Sequence, residues 1–187
     1  MRLITERLIL REFVGADWRD VLAYQSDPRY LRFYPWWERT SEDVQEFVGR
    51  FVDWQMESPR IGFQLAIVLP ATGQLIGNCG IRMAEANATE GDIGYELSPA
   101  HWGRGYATEA AGAMIDFGFR ELMLHRIFAS CVAENDASVR VLEKLGMRRE
   151  ANLRENCWMK GRWWNTLLYA IPCREWQSPR LTPVEFE

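Results

Sequence analysis

The sequence predicts a mixed α/β domain whose sheet contains a single parallel βαβ crossover. Three observations carry that prediction. The elements run in the order β α α β β β α β α β β. Two strand pairs are joined by tight turns, Pro70-Ala71-Thr72-Gly73 and Lys160-Gly161, so most neighbours are hairpin partners. One helical stretch separates the strands Asp92–Leu97 and His125–Val132, and a helix crossing between two strands lets them lie parallel.

Each element has a local reason. Leu3 to Arg11 reads as one strand with Leu8, Ile9 and Leu10 at its apolar centre. Asp17 is placed to cap a helix carrying Val21, Leu22 and Tyr24, and Asp27-Pro28 ends it because the residue before proline avoids the helical region. An aromatic loop, Phe33-Tyr34-Pro35-Trp36-Trp37, follows. Thr40 and Asp43 stand at capping-box spacing ahead of Val44, Phe47, Val48, Phe51 and Val52, a helical stripe expected to pack in the core. Phe63–Leu69 and Gln74–Met83 form a hairpin, residues 84–90 a polar loop, and Asp92–Leu97 the next strand. A helix bearing Ala110, Met114, Ile115, Gly118 and Leu122 comes next, then the strand His125–Val132. Asn135 or Asp136 caps a short helix that Gly146 stops. Met147–Met159 and Trp163–Ile171 close the sheet. One domain spans residues 1–173, with an irregular tail at 174–187 containing Pro179 and Pro183.

Composition narrows the class. The chain has 187 residues, 48% hydrophobic and 26% charged, and a net charge of −4. That length suits one domain with a substantial core, and the acidic balance argues against a nucleic-acid binder, which would carry a basic face. Cys79, Cys131, Cys157 and Cys173 are widely spaced, with no C-x-x-C and only His101 and His125 beside them, so no metal site is expected and a reducing compartment is. The opening Met1-Arg2-Leu3-Ile4-Thr5-Glu6-Arg7 is charged too early for a signal peptide, and no run is apolar enough for a membrane span; the expected location is cytoplasmic.

The organising stretch is Trp102-Gly103-Arg104-Gly105-Tyr106-Ala107-Thr108 between the Asp92–Leu97 strand and the helix. Glycines there expose consecutive backbone N–H groups at a helix start, where the dipole is positive, and Arg104 adds a cation: a site for a phosphate or pyrophosphate. Thr108 stands where a dinucleotide fold needs its third glycine, and there is no Gly-Lys-Ser/Thr, so an oxidoreductase is a distant reading. The pattern that fits is Q/R-x-x-G-x-G/A, with Trp102 in place of Gln or Arg. This resembles the pyrophosphate loop of the GNAT superfamily of N-acetyltransferases. Gly94-Tyr95-Glu96-Leu97 ahead of it, and the opening Thr5-Glu6-Arg7-Leu8-Ile9-Leu10-Arg11, resemble the branch that acetylates ribosomal-protein N-termini (RimJ/RimL-like) and also holds enzymes acting on small amines. Asn135, Ser138, Lys144, Gly146 and Met147 match the family's N-x-x-[AS]-x-x-x-x-x-K-x-G-F element, with Met147 for Phe.

The resemblance covers about Thr5 to Ala170. It implies a mostly antiparallel, twisted sheet with helices on both faces, and acetyl-CoA as co-substrate without a metal. It places Leu97, Trp102 to Thr108, Asn135, Ser138 and Lys144 at the cofactor. Acetyl transfer to an amine needs a proton acceptor, donors for the carbonyl oxygen and a hydrogen bond for the departing thiolate. Glu96, at the strand end, is the candidate base. Backbone N–H groups of Leu97 and Ser98 are the candidate donors to the oxygen. Ser138 is the candidate acid, because Leu142 stands where many relatives carry a tyrosine. Trp102 cannot make the side-chain contact of Gln or Arg, so phosphate binding is expected to rest on backbone N–H groups. Trp36, Trp37 and Glu155 are candidate acceptor contacts, and Asn165 stands where relatives often carry an aspartate. The acceptor is a protein N-terminal α-amine or a small-molecule amine, and the chain a monomer or homodimer. A non-catalytic acyl-CoA sensor with the same fold is the alternative.

Overall fold

The computed structural model describes residues 1–177. Its eight strands are β1 (Arg2–Ile4), β2 (Ile9–Glu12), β3 (Gly62–Val68), β4 (Leu75–Arg82), β5 (Glu90–Leu97), β6 (Arg126–Val132), β7 (Arg148–Met159) and β8 (Arg162–Pro172). Its helices are α1 (Trp18–Gln25), α2 (Pro28–Leu31), α3 (Ser41–Trp54), α4 (Tyr106–Arg120) and α5 (Asp136–Lys144). The strands form one sheet in the order β1-β2-β3-β4-β5-β6-β8-β7, antiparallel at every step except β5–β6. No helix among the described residues is long and apolar enough to cross a membrane.

The sheet is covered on both faces, and β3 shows why its sequence reads as an unbroken apolar run. Leu65 and Ile67 join the core under α4 and α5, while Ala66 and Val68 join the core under α1, α2 and α3. The Thr40–Asp43 capping box closes as expected: Asp43 N–H donates to Thr40 Oγ1 at 3.2 Å, and Thr40 N–H donates to Asp43 Oδ2 at 2.9 Å. Val44, Val48 and Phe51 of the predicted stripe are buried.

Two expectations are corrected, and a third, the helix end at Asp27-Pro28, holds. Leu3 to Arg11 is a hairpin rather than one strand, with Leu3 opposite Leu10. Its turn is closed by Thr5 N–H donating to Leu8 O at 3.0 Å and reinforced by side chains, since Leu8 N–H donates to Thr5 Oγ1 at 3.0 Å and Thr5 Oγ1 donates to Glu109 on α4 at 2.6 Å. Asp17 stands ahead of α1 but gives it no side-chain cap; its carboxylate accepts from the Arg11 guanidinium at 2.8 Å and from Val14 N–H at 2.9 Å. Pro28 does more than follow a helix end, for Asp27 accepts from Arg29 N–H and Pro28 opens α2. Beyond residue 173, Cys173–Glu175 forms a 3₁₀ turn and Trp176 Nε1 donates to Asp116 on α4 at 2.6 Å. The remaining tail, 178–187 with Pro179 and Pro183, lies outside the described residues.

The feature that positions the site is where the parallel pairing stops. β5 pairs with β6 only at Glu90–Arg126, Gly91–Ile127 and Asp92–Phe128. Both strands continue past that point, to Leu97 and Val132, with no further partner in each other, so they diverge and open a cleft.

Candidate active site

Two adjoining cavities of about 300 and 440 Å³ occupy the cleft, and Phe33, Tyr34, Tyr95, Glu96, Asn135 and Ser138 line both. The larger runs along the start of α4, lined by Leu97, Trp102, Gly103 and Gly105 to Thr108, and along α5, lined by Arg140 and Lys144. The smaller runs along the opposite wall over Gln64, Asn78 and Arg82, beneath Phe47 and Phe51.

The loop before α4 has the geometry of an anion cradle. Gly103 and Gly105 take φ of +76° and +82°, a region that residues with a Cβ enter only under strain, and Gly105 is the N-cap of α4. The first N–H groups of α4 therefore face the larger cavity without a side-chain cap. Of the loop, Arg104 alone is absent from the cavity lining; its carbonyl instead accepts from Arg7 Nη1 at 2.9 Å. Arg7 is held by Glu109, with Nη2 at 2.6 Å from Oε2 and the Arg7 N–H donating to Oε1 at 2.8 Å. The Trp102 indole turns back to donate to Leu97 O at 2.7 Å, tying the loop to the end of β5. Lys144 and Arg140 bring positive charge to the same cavity.

The two candidate oxyanion donors separate. Ser98 N–H donates to Ile76 O at 2.7 Å and is consumed by the sheet. Because antiparallel pairing alternates, Leu97 N–H then faces away from β4 and into the cleft. Leu97 is the donor that remains.

Glu96 sits at the junction of the cavities. Its Oε2 accepts from Tyr24 Oη at 3.1 Å, Gln25 Nε2 at 3.0 Å and Asn78 Nδ2 at 3.1 Å. The Tyr30 hydroxyl stands beside the carboxyl but outside hydrogen-bond geometry, buried without a partner. Burial pushes the carboxyl above its ordinary 4.5, and the donors only partly offset this. A carboxyl so placed gives a base with more proton affinity than an exposed glutamate.

On the other side of β5, the Tyr95 hydroxyl lies 2.9 Å from Ser138 Oγ and donates to Ser138 O at 3.1 Å. Ser138 N–H donates to Asn135 Oδ1 at 3.2 Å, so Asn135 caps α5 and lines the cleft at once. Burial raises Tyr95, so the phenol stays protonated, and it raises the neighbouring Cys131 thiol to about 11.

The structure thus brings Glu96, Leu97, Trp102, Gly103, Gly105, Tyr106, Ala107, Thr108, Asn135, Ser138 and Lys144 to one cleft. It does not bring Trp36, Trp37 or Glu155 there. Trp36 stacks on Tyr34 and beneath Arg39, Trp37 is 71% exposed beneath Lys160, and Glu155 occupies an irregular stretch of β7 with φ of +49°. From the same aromatic loop, Phe33 and Tyr34 are the cavity-lining residues. Asn165 uses its amide oxygen to accept from Glu155 N–H at 2.8 Å. Sequence reasoning missed Tyr24, Gln25, Gln64, Asn78 and Arg7. Polar residues inside apolar strands and helices, such as Asn78 in Leu75–Arg82, were the available signal.

Comparison with known proteins agrees with this geometry. The pattern described as an acetyltransferase (GNAT) domain matches residues 7–148. An uncharacterised N-acetyltransferase of Bacillus subtilis, YnaD, is 37% identical over 94% of this chain and 99% of its own. A GNAT-family acetyltransferase from Bacillus anthracis superposes with a TM-score of 0.81 at 33% identity, covering 92% of this chain and 98% of that one. RimJ of Mycobacterium smegmatis, solved in complex with CoA-disulfide, shares the fold with a TM-score of 0.78 at 23% identity, over 94% and 87% of the two chains. With its anion-cradling loop, its split parallel pair and relatives matched over nearly the whole length, the chain belongs to the GNAT acetyltransferase family.

Proposed function

We propose that the chain acetylates a primary amine, a protein N-terminal α-amine or a small-molecule amine, by direct attack within a ternary complex with acetyl-CoA. The observation that carries this is the shared wall: the cavity along the anion loop and the cavity beneath Phe47 and Phe51 meet at Glu96 and Ser138. A donor held in one and an acceptor held in the other would meet between a base and a hydroxyl.

The residues present suit the cofactor. Backbone N–H groups at the start of α4 take the pyrophosphate, with Trp102 bracing the loop in place of a Gln or Arg contact. Arg140 and Lys144 supply charge for further phosphate, and Asn135 and Ser138 flank the path inward. When bound, acetyl-CoA supplies the acetyl group as a thioester.

The chain's residues then supply the rest. Glu96 takes a proton from the acceptor nitrogen, which attacks as a neutral amine; an α-amine, with a pKa of about 8, is neutralised more readily than a lysine at about 10.4. Leu97 N–H faces the cleft where the carbonyl oxygen gains charge. As the nitrogen–carbon bond forms and the carbon–sulfur bond breaks, the Ser138 hydroxyl hydrogen-bonds the departing thiolate beside Tyr95, and the second proton shed by the nitrogen ends on that sulfur, giving the amide and the free thiol. The smaller cavity sets the rings of Phe33, Tyr34, Phe47 and Phe51 against the polar side chains of Gln64, Asn78 and Arg82, which suits an amine carried on a group with both apolar and polar atoms.

The test is thiol release from acetyl-CoA against free-N-terminal peptides, polyamines, aminoglycosides and free amino acids. Release stimulated by one class supports the reading and identifies the acceptor. Binding of acetyl-CoA with no stimulation by any amine would favour the sensor alternative.

A further inference from the structure

The side chains beneath the smaller cavity form two hydrogen-bonded chains that converge on one oxygen of Glu96. In the first, Arg82 Nη1 donates to Gln64 Oε1 at 3.2 Å, Gln64 Nε2 to Asn78 Oδ1 at 2.6 Å, and Asn78 Nδ2 to Glu96 Oε2 at 3.1 Å. In the second, Arg39 Nε donates to Gln25 Oε1 at 3.0 Å and Gln25 Nε2 to Glu96 Oε2 at 3.0 Å. Both chains begin at an arginine and pass only through amides.

That order has a directional consequence. An amide can present either its oxygen or its nitrogen to a neighbour, but a guanidinium only donates. With Arg82 at its head, Gln64 must turn its oxygen to Arg82 and its nitrogen to Asn78, and Asn78 must turn its nitrogen to Glu96. Arg39 orients Gln25 in the same way. Tyr24 adds a third donor, since its hydroxyl accepts from Asn78 Nδ2 at 3.0 Å and donates a hydrogen bond to Oε2 at 3.1 Å. Oε2 accepts all three of these hydrogen bonds, and among the described residues none is made to Oε1, beside which only the Tyr30 and Tyr34 hydroxyls stand.

We propose that Arg82 and Arg39 are positioning residues that act through Gln64, Asn78 and Gln25 to hold Glu96 Oε2 as a permanent acceptor, leaving Oε1 as the oxygen that receives the proton of the acceptor amine. This rests on the reading of Glu96 as base. The heads of both chains are themselves held: Asp92 accepts from Arg82 Nη2 at 2.9 Å, and Asp43 O accepts from Arg39 Nη2 at 3.2 Å while Trp36 lies 4.6 Å from the guanidinium. The backbone makes room for the first chain, because a Cβ at Gly94 would meet Arg82 Nη2 at 2.6 Å and one at Gly80 would meet Gln64 Oε1 at 2.3 Å. The other ionisable groups facing Glu96 are the phenols Tyr30 on α2 and Tyr34 in the loop after it. Burial raises both, so neither takes over the proton.

The test follows the Glu96 side-chain carboxyl directly, by carbon-13 NMR titration of the labelled chain, with Glu96→Gln assigning the resonance. Gln64→Met, Arg82→Met and Arg39→Met each free an amide to turn its oxygen toward Glu96, and each should move the titration up by about one pH unit, ten-fold in proton affinity. Arg82→Lys keeps a donor at the head of the chain and should stay close to the native value. Gln64→Met is decisive, because it retains the charge of Arg82 while breaking the chain. If it leaves the titration unchanged, the amides do not control the carboxyl and the proposal is overturned, even if Arg82→Met moves it through charge alone. The pH profile of kcat/KM is read on the same variants. Its acidic limb should move with the NMR value. NMR movement without kinetic movement would overturn Glu96 as base while leaving its control by the amides intact.

Discussion

The Tyr95 hydroxyl on β5 lies 2.9 Å from Ser138 Oγ on α5, so a phenol from the sheet meets the helix one turn before Leu142. The hydroxyl that Ser138 presents to the cleft is thus held against the Tyr95 hydroxyl, and either oxygen can be the donor of that pair. Ser138→Ala should lower kcat about 100-fold by removing that hydroxyl from the departing sulfur. Tyr95→Phe should lower it less, because Ser138 remains, and neither change should alter acetyl-CoA binding more than slightly. Steady-state kinetics beside a direct binding titration checks the split.

Glu96→Gln should lower kcat/KM about 100-fold and abolish the acidic limb of its pH profile. It should also change stability with a definite sign. The folded carboxyl sits above its ordinary 4.5, so the fold favours the protonated form, and native stability falls as pH rises through the window between the unfolded and folded values. The melting temperature of Glu96→Gln minus that of the native chain should be smallest at low pH, rise through that window and then level off.

Glu109→Ala removes the acceptor shared by Thr5 Oγ1, Arg7 N–H and the Arg7 guanidinium. Because Arg7 is 44% exposed, the loss is set at ~1 kcal/mol, or ~2–4 °C in melting temperature. Coenzyme A affinity should weaken as the Arg104 carbonyl loses its brace. Gly105→Ala tests the loop itself, since φ of +82° costs a residue with a Cβ ~1–2 kcal/mol. Calorimetric titration with coenzyme A measures both.

Thr40→Ala should cost about 1 kcal/mol through loss of the α3 cap, with kcat unchanged. Thermal melts and kinetics on the same sample separate this effect from those in the cleft.

The loop at Gly103–Thr108 and the start of α5 were legible because each is a local pattern: turn glycines, a cap and a helix start lie within a few residues of one another. Glu96 was legible as the carboxylate ending the strand before that loop. The residues that grip it were not. Gln64, Asn78 and Glu96 meet only because β3, β4 and β5 adopt one register, with Ala66 opposite Asn78 and Asn78 opposite Glu96, and no local periodicity encodes a register. The β1–β2 hairpin was hidden for a related reason. Its turn has no glycine or proline, and the carboxylate bracing it comes from Glu109, 104 positions beyond Thr5. Ser98 was assigned to the carbonyl oxygen because strand pairing that consumes its N–H is invisible in the sequence; the same pairing leaves Leu97 free.

The three residue pairs joining β5 to β6 have a mechanical meaning as well. Among the described residues they are the only direct ladder between the sheet half made of β1 to β5 and the half made of β6 to β8. Past Asp92 and Phe128, a molecule lying in the gap takes the place of the missing rungs, with the edge of β5 on one side and α5 on the other. Filling it mortars the two half-sheets together. Slower amide exchange should therefore spread outward from Leu97 and Val132 into strands that never touch the bound molecule.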